Sequence, residues 1–490
     1  MTNRRDFIRA SAALGAMPFL PPFSISSANA ADTSGYKALV CVFLFGGNDS
    51  HNLIVPRTTS EYNTYSAARG GLAEMNGLAL PLDSLLSVSP MGMAANSFGL
   101  HPAMTNLATL FNTDKKLAVV ANTGPLLAPT TLLQYQNRSV PLPPQLFSHS
   151  DMQMHWQTMR PDYPADTGWG GRMADVFRAA ASGLLPVSTS LGGGNIFMKG
   201  DITSAYSVTP VKYKTGVIDN TTRIARTPAA DVYWNWTGTG VNSRPQNVFV
   251  NNINDPRASL LEQQYAGINK ASLDVGAFVT NAMYEVNSST YTLKNAVPGN
   301  WPTTNRLAAQ LHSVAAMIAA RAALGVTREI FFVSLGGFDN HGDQFGRDLV
   351  SGNKTLLAGK HYDLLRTLDE ALSVFYRATD SMGVANNVTT MTMSDFGRTL
   401  RSSGQGSDHG WGGHQLVLGG AVKGGRIAGD FPMPALGTSV DVGEGRLLPA
   451  IASDAYIATL ANWMGASPAE VASIVPNLSR FNTQTLDLMA

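Results

Sequence analysis

Residues 38–49, ALVCVFLFGGND, form an unbroken apolar run that ends in two glycines and an acid. A strand with one wet face alternates apolar and polar residues, whereas a strand buried on both faces reads as a continuous apolar run. The run therefore predicts an interior strand of a parallel sheet. Two later stretches are built the same way. REIFFVSL (328–335) runs into GGFDNHGDQ, and NVTTMTMS (387–394) runs into DFGR. Each delivers an aspartate just past its strand: Asp49, Asp339 and Asp395.

Helical patterns lie between the apolar runs. HPAMTNLATLF precedes the strand-like KLAVVANTG, SHSDMQMHWQ begins with serine caps, and GGRMADVFRAAASG precedes LLPVSTSL. Leu307, Leu311, Val314, Ile318 and Ala322 repeat at helical spacing, with Thr303 or Thr304 as cap and Gly325 as stop. KTLLAGKHYDLLRTLDEALSVFYRA reads as a long helix, HQLVLGG as a strand, and SDAYIATLANWMG and SPAEVASIV as closing helices. Strands alternating with helices predict an α/β fold with a doubly wound, mainly parallel sheet and helices on both faces. Ligands in such sheets collect beyond the carboxyl ends of the strands. Residues 192–256 break the pattern and read as a polar insertion or cap. The aromatics there, Tyr233, Trp234 and Trp236, suit either sugar stacking or a small satellite core.

The chain opens with Arg4–Arg5 before a short apolar run and the small-residue stretch Ala28-Asn29-Ala30. This is the pattern of a twin-arginine export signal over residues 1–30, and the run is too short for a good membrane span. The expected destination is the periplasm or the exterior, with residues 31–490 as the working domain and no transmembrane segment left. Without the leader, 32 basic and 33 acidic residues remain. That balance gives no electrostatic footprint for nucleic acid. The single cysteine, Cys41, has no partner for an internal disulfide and fits as a small hydrophobe in its strand.

A second stretch demands an explanation. SSGQGSDHGWGGH (402–414) sets two histidines, His409 and His414, in a bed of glycines that no stable helix would tolerate. Together with His149 and His341 they fall at loops or helix starts on the expected sheet edge. Asp and His in combination suit zinc, manganese or iron. Taken singly, each has a plainer role: an aspartate after a strand is usually a turn or cap residue, and His409 beside Asp408 fits a loop hydrogen-bond pair. His101 reads as a helix cap, His312 as a core histidine and His361 as a surface residue. The joint pattern favours a site at that edge. There the glycine loop would fold over, with Asp408 as a cap or ligand support and Trp411 as a lid.

VFLFGGNDSHNLIVP, LHPAM, FSHSDMQ, GWGGRMAD, EIFFVSLGGFDNHGDQ, SDFGRTLRSSGQGSDHGWGGHQLVLGG and DAYIATLANWMG occur in this order over nearly the whole chain after residue 30. They resemble the secreted family known as domain of unknown function 1501. That family looks like a branch of the alkaline phosphatase and sulfatase-like superfamily. The resemblance implies two metal ions between strand ends. Asp49, Asp339, His341, Asp395 and His409 match ligand positions, although the usual spacing of the Asp339–His341 pair is longer. Phe396 stands where one metal-binding histidine belongs. His414 has no counterpart and is a candidate replacement ligand. The resemblance also implies a nucleophile at a helix start, where Ser148 aligns best and His149 follows; helix capping is the competing role for that serine. Arg398 is placed either to hold a phosphate or sulfate or to staple its own loop. No CxPxR follows Cys41 and no G-x-S-x-G occurs.

Two functions follow as expectations. One is an exported hydrolase of phosphate or sulfate esters, small-molecule or glycan, using one or two divalent ions such as zinc, manganese or calcium. The other is a non-catalytic secreted protein that binds a glycan or a protein partner through a degenerate metal site.

Overall fold

The structure, a computed structural model, describes residues 31–162, 164–181, 184–208, 259–287 and 290–490. The expected leader and most of the expected insertion, including Tyr233, Trp234 and Trp236, lie outside the described residues.

Nine strands make the main sheet. They are β1 (Lys37–Phe45), β2 (Leu117–Gly124), β3 (Ser188–Ser190), β4 (Tyr206–Ser207), β5 (Arg328–Gly336), β6 (Val388–Ser394), β7 (Gly413–Gly419), β8 (Arg426–Ala428) and β9 (Ile451–Ala452). Their order is β8-β2-β7-β6-β1-β5-β3-β4, with β9 also on β2. The three apolar runs are neighbours, as their sequences require: β1 pairs in parallel with β5 and β6. Register sets Phe45 beside Gly336 and Leu44 beside Ser394, so all three strands end level. The sheet is mixed, however. β7 runs antiparallel to both β6 and β2. The chain leaves β6, loops and re-enters β7 from the same edge, so the glycine-rich loop never crosses to the far side.

The unbroken apolar pattern of β1 follows from burial on two faces. Val40, Val42 and Leu44 join one core with Phe331 and Val333. Leu39, Cys41 and Phe43 join the other with Ile330 and Phe332. The helices covering the first core are α1 (Thr105–Asn112), α4 (Arg306–Ala319) and α5 (Lys360–Ser381). The second is covered chiefly by α3 (Trp169–Val176), α6 (Ser453–Met464) and α7 (Pro468–Ile474), with Trp156 of α2 (His149–Thr158). Helices thus cover both faces, as expected. No helix among the described residues is long and apolar enough to cross a membrane.

Local differences from the sequence reading have local causes. Asn305, not a threonine, caps α4, its side chain accepting from Ala308 N–H. Gly325 does end that helical region, at φ +67°. The long helix begins at Lys360, after Lys354–Thr355 pairs with Gly346–Arg347 in a small antiparallel ribbon. His361 is buried, not a surface residue: it lies one position into α5, and its Nε2 is 3.1 Å from Asn48 Oδ1. His312 is buried edge-on to Trp301 at 5.0 Å.

Candidate metal centre

Beyond β1 the chain turns through Gly46 (φ +113°) and Gly47 (φ +79°). A Cβ at the first would strike the Asp339 backbone, and at the second the Phe396 ring. These glycines let three strand ends close on one another. The Gly46 N–H donates to Asp395 Oδ2 at 3.2 Å. Arg398, wholly buried, ties the same edge together. Its Nε and Nη2 donate to Ser407 O at 2.9 and 2.6 Å, and its Nη1 to Gly46 O at 2.8 Å and Asp339 Oδ1 at 3.1 Å. Of the two roles read from sequence, the staple is the one its contacts fill. Arg398 and His409 are also paired across the hairpin Arg398–Ser402/Ser407–His409. The residue that anchors Asp339 therefore also anchors the loop that carries His409.

Four side chains converge there. His341 Nε2 is 2.9 Å from both His409 Nε2 and Asp339 Oδ1. His409 Nε2 is 3.4 Å from Asp339 Oδ1, and His149 Nε2 is 3.4 Å from Asp339 Oδ2. Bonds of 2.0–2.1 Å to a tetrahedral ion set ligand atoms about 3.3 Å apart. The observed separations bracket that value.

The remaining imidazole nitrogens fix how the rings present themselves. His149 Nδ1 is 2.7 Å from Asp395 Oδ2, and His409 Nδ1 is 2.7 Å from Phe147 O. A carbonyl can only accept, so His409 Nδ1 carries the hydrogen, and the carboxylate asks the same of His149. Both rings in their neutral form then point a bare Nε2 lone pair at the cluster. His149 Nε2 is buried with no hydrogen-bond partner. A polar atom is costly to bury unpaired, and histidines whose outer nitrogen is held by a carboxylate or carbonyl are the usual metal ligands. The residues fit a divalent ion.

The ionisation tendencies differ from one ligand to the next, and the ring of His149 has to shed a proton to take an ion. The hydrogen bond to Asp395 raises the pKa of His149 above the ordinary histidine value. Burial lowers that of His409. Burial opposes ionisation of Asp339, but Arg398, His341 and His149 outweigh it and hold its pKa low. Phe396 packs its ring 4.9 Å from His149 and 4.7 Å from His409. It is a wall against which two candidate ligand rings are set.

Other expected site residues lie elsewhere. Asp49 is buried against Arg69 and Gln344, which both reach its Oδ2. Burial would raise its pKa, but Arg69, His361 and His51 bring it to about 2. It forms an internal ion pair beneath the cluster. His414 is also absent from the cluster. Strand alternation turns it to the face of Leu416 and Leu418. There it stacks on Phe431 at 4.6 Å, accepts the Asn122 N–H at Nδ1 and is driven by burial to a pKa of about 3. Ser148 stands at the N-cap of α2 without capping the backbone, and its Oγ donates to Asp151 at 2.6 Å. Trp411 is not a lid: it is fully buried and donates to Pro125 O.

Some contributors were not read from sequence. Gln153 donates to Asp395 at 2.8 Å, one helical turn from His149, a spacing that could have flagged it. Asp408, expected as a cap or ligand support, has its Oδ1 3.9 Å from His341 Nδ1, while Arg446, not read from sequence, holds its Oδ2 at 2.9 Å. The Phe147 carbonyl and the buried Arg69 carry no motif signal.

Comparison with known proteins adds a family match. The model of the family described as "Protein of unknown function (DUF1501)" matches residues 247–446, a span that includes Asp339, His341, Asp395 and His409 but not His149. No curated protein matches the chain. One solved structure comes from work on the metabolism of multiple glycosaminoglycans by Bacteroides thetaiotaomicron. It aligns at 10% identity and TM-score 0.30, covering 89% of this chain and 74% of that one. So loose a superposition carries no argument.

Proposed function

We propose that this is an exported metal-binding protein holding one divalent ion on His149, Asp339, His341 and His409, and that it hydrolyses a phosphate or sulfate ester there. The observation that supports it most is the buried Nε2 of His149, without a hydrogen bond and 3.4 Å from Asp339 Oδ2, beside Asp339 Oδ1, His341 Nε2 and His409 Nε2, which lie 2.9–3.4 Å from one another. Two overlapping groups of ligand atoms, His149–Asp339–His409 and His341–Asp408–His409, share His409, whose other nitrogen is taken by Phe147, so this reading places one ion there. Asp49 has its Oδ2 held by Arg69 and Gln344 while its Oδ1 is buried without a hydrogen bond, and it belongs to neither group. Asp339 and His341 are each 46% exposed, which leaves a solvent-facing side for substrate.

A divalent ion in this position would supply a polarised ester oxygen and an activated water. The chain's own part is to hold and orient. Asp395 and the Phe147 carbonyl fix two imidazole tautomers, Arg398 fixes Asp339, and Phe396 fixes two ring planes. Ser148 has its hydroxyl proton committed to Asp151, so this reading needs no serine nucleophile. The twin-arginine leader carries the location, periplasmic or secreted.

The test is elemental analysis of the purified protein followed by assay against phosphate and sulfate monoesters. About one equivalent of zinc, manganese or iron with chelator-sensitive turnover is the expected result. A metal-free protein that cannot be reconstituted overturns the metal centre. Bound metal without turnover leaves the non-catalytic binding function in its place.

A further inference from the structure

A groove of about 540 Å³ opens beside the metal centre, between the helix Leu132–Asn137 and the start of α2. We propose that it is the subsite for the non-reacting part of the substrate, and that it selects an organic anion with an apolar, ring-sized body. The proposal rests on the hydrolase reading above and names the substrate class for it.

Three observations carry it. The first is continuity. Phe147 lines the groove, and its carbonyl holds His409 Nδ1. His149 follows two residues later, so the groove's rim lies within about 7 Å of a ligand-bearing backbone position. A molecule seated in the groove would present its reactive end to the cluster. The second is composition. Tyr135, Leu142, Leu146 and Phe147 give the groove apolar walls, and Arg138 stands in it exposed. The Arg138 guanidinium has no ion pair or hydrogen bond among the described residues, unlike Arg69, Arg398 and Arg446 around the centre. An unpaired guanidinium over an apolar wall is complementary to an anion carried on an apolar body. The volume falls in the range of small-molecule sites.

The third is backbone conformation. Gln145 and Phe147 have positive φ, at +51° and +73°, whereas Arg138, at +50°, is the left-handed C-cap of the helix Leu132–Asn137. Side chains rarely tolerate that region, and such residues gather where a site is held in shape. At Phe147 the consequence is visible: its carbonyl is aimed at His409 while the residue still lines the groove. One strained loop thus shapes both the metal centre and the groove.

The test separates the groove from the metal. 2-Naphthoate, an apolar double ring with one carboxylate, is titrated calorimetrically into the full protein with chelator present, so that no ion can attract the carboxylate. Binding should be saturable. It should weaken about tenfold in Arg138→Gln and further in Arg138→Glu, matching loss of one charge-assisted contact. Leu142→Asp should abolish it, and thermal melts check that each variant is folded. Absence of binding to the wild-type protein, or equal binding by the Arg138 and Leu142 variants, overturns the subsite. Failure of the metal centre shows separately, as absent metal in elemental analysis, whatever the groove binds.

Discussion

His149 Nδ1 and Asp395 Oδ2 stand 2.7 Å apart although 246 residues separate them in sequence. Asp395 closes a parallel strand and His149 opens a helix, and their hydrogen bond leaves His149 Nε2 bare toward Asp339. Asp395→Asn keeps the shape but offers a neutral carbonyl in place of a carboxylate. Outer partners of this kind are worth 10–100-fold in metal affinity. A chelator competition should show a loss of about that size, with the fold intact. Unchanged affinity would mean that His149 is not a ligand.

The two histidines of the glycine-rich loop should behave differently. His409→Ala removes one of four converging ligand atoms and should empty the centre in elemental analysis. His414→Ala should leave metal content unchanged and lower stability instead, by about 1–3 kcal/mol, because it strands the Asn122 N–H and opens space beside Phe431. Equal metal loss in both variants would show that the loop acts only as a unit.

What the sequence made legible was set by nearest-neighbour pattern. The three apolar runs announced strands, and their trailing acids announced a shared edge. Asp339, His341 and His409 do meet there. What stayed hidden depends on contacts between distant segments. Nothing near Asp49 says that Arg69, at the C-cap of the helix Thr59–Ala68, will neutralise it. The apolar run of β7 reads the same in either direction, so its antiparallel course was invisible, and with it the face to which His414 turns. Phe396 reads as a lost ligand in sequence and is a packing surface for two histidine rings in the fold.

Arg69 and Asp49 form a fully buried ion pair, and Arg69 also donates to Thr399 O and Leu400 O of the hairpin that carries His409. Removing one partner leaves a buried charge uncompensated. Asp49→Ala should therefore cost about 3–5 kcal/mol in denaturant unfolding. Arg69→Met alone should be comparably harmful. The double variant Asp49→Ala/Arg69→Met should be less destabilised than the sum. Strict additivity would mean that the pair is not coupled.

The last prediction concerns pH and lies at the other end of the sheet. Glu329, second residue of β5, is buried; burial raises its pKa from 4.5 to about 7, though Tyr36 donates to its Oε2. Its Oε1 is buried without a partner, the environment of a neutral carboxyl group. In the unfolded chain the group ionises near 4.5. Between those values the native state holds a proton that the unfolded state has lost, so the contribution of Glu329 to stability falls as pH rises from about 4.5 to 7 and stays lowered above. Asp454, also buried and also raised to about 7, acts in the same direction. Glu329→Gln keeps an acceptor for Tyr36 and cannot ionise. It should stabilise the protein at pH 8 relative to wild type by an amount on the order of 2 kcal/mol, have little effect at pH 5, and remove the Glu329 share of the slope; Asp454 keeps its share, and the buried histidines His51, His312, His361 and His414, whose folded pKa values burial lowers to about 3–4, contribute the opposite slope in wild type and variant alike. The strand's nine residues put Glu329 about 25 Å from the cluster, so metal content should not change. Urea unfolding of the chelated wild type and variant across pH 4–8 reads the difference directly. Parallel stability curves at all pH values would show that Glu329 ionises normally in the fold.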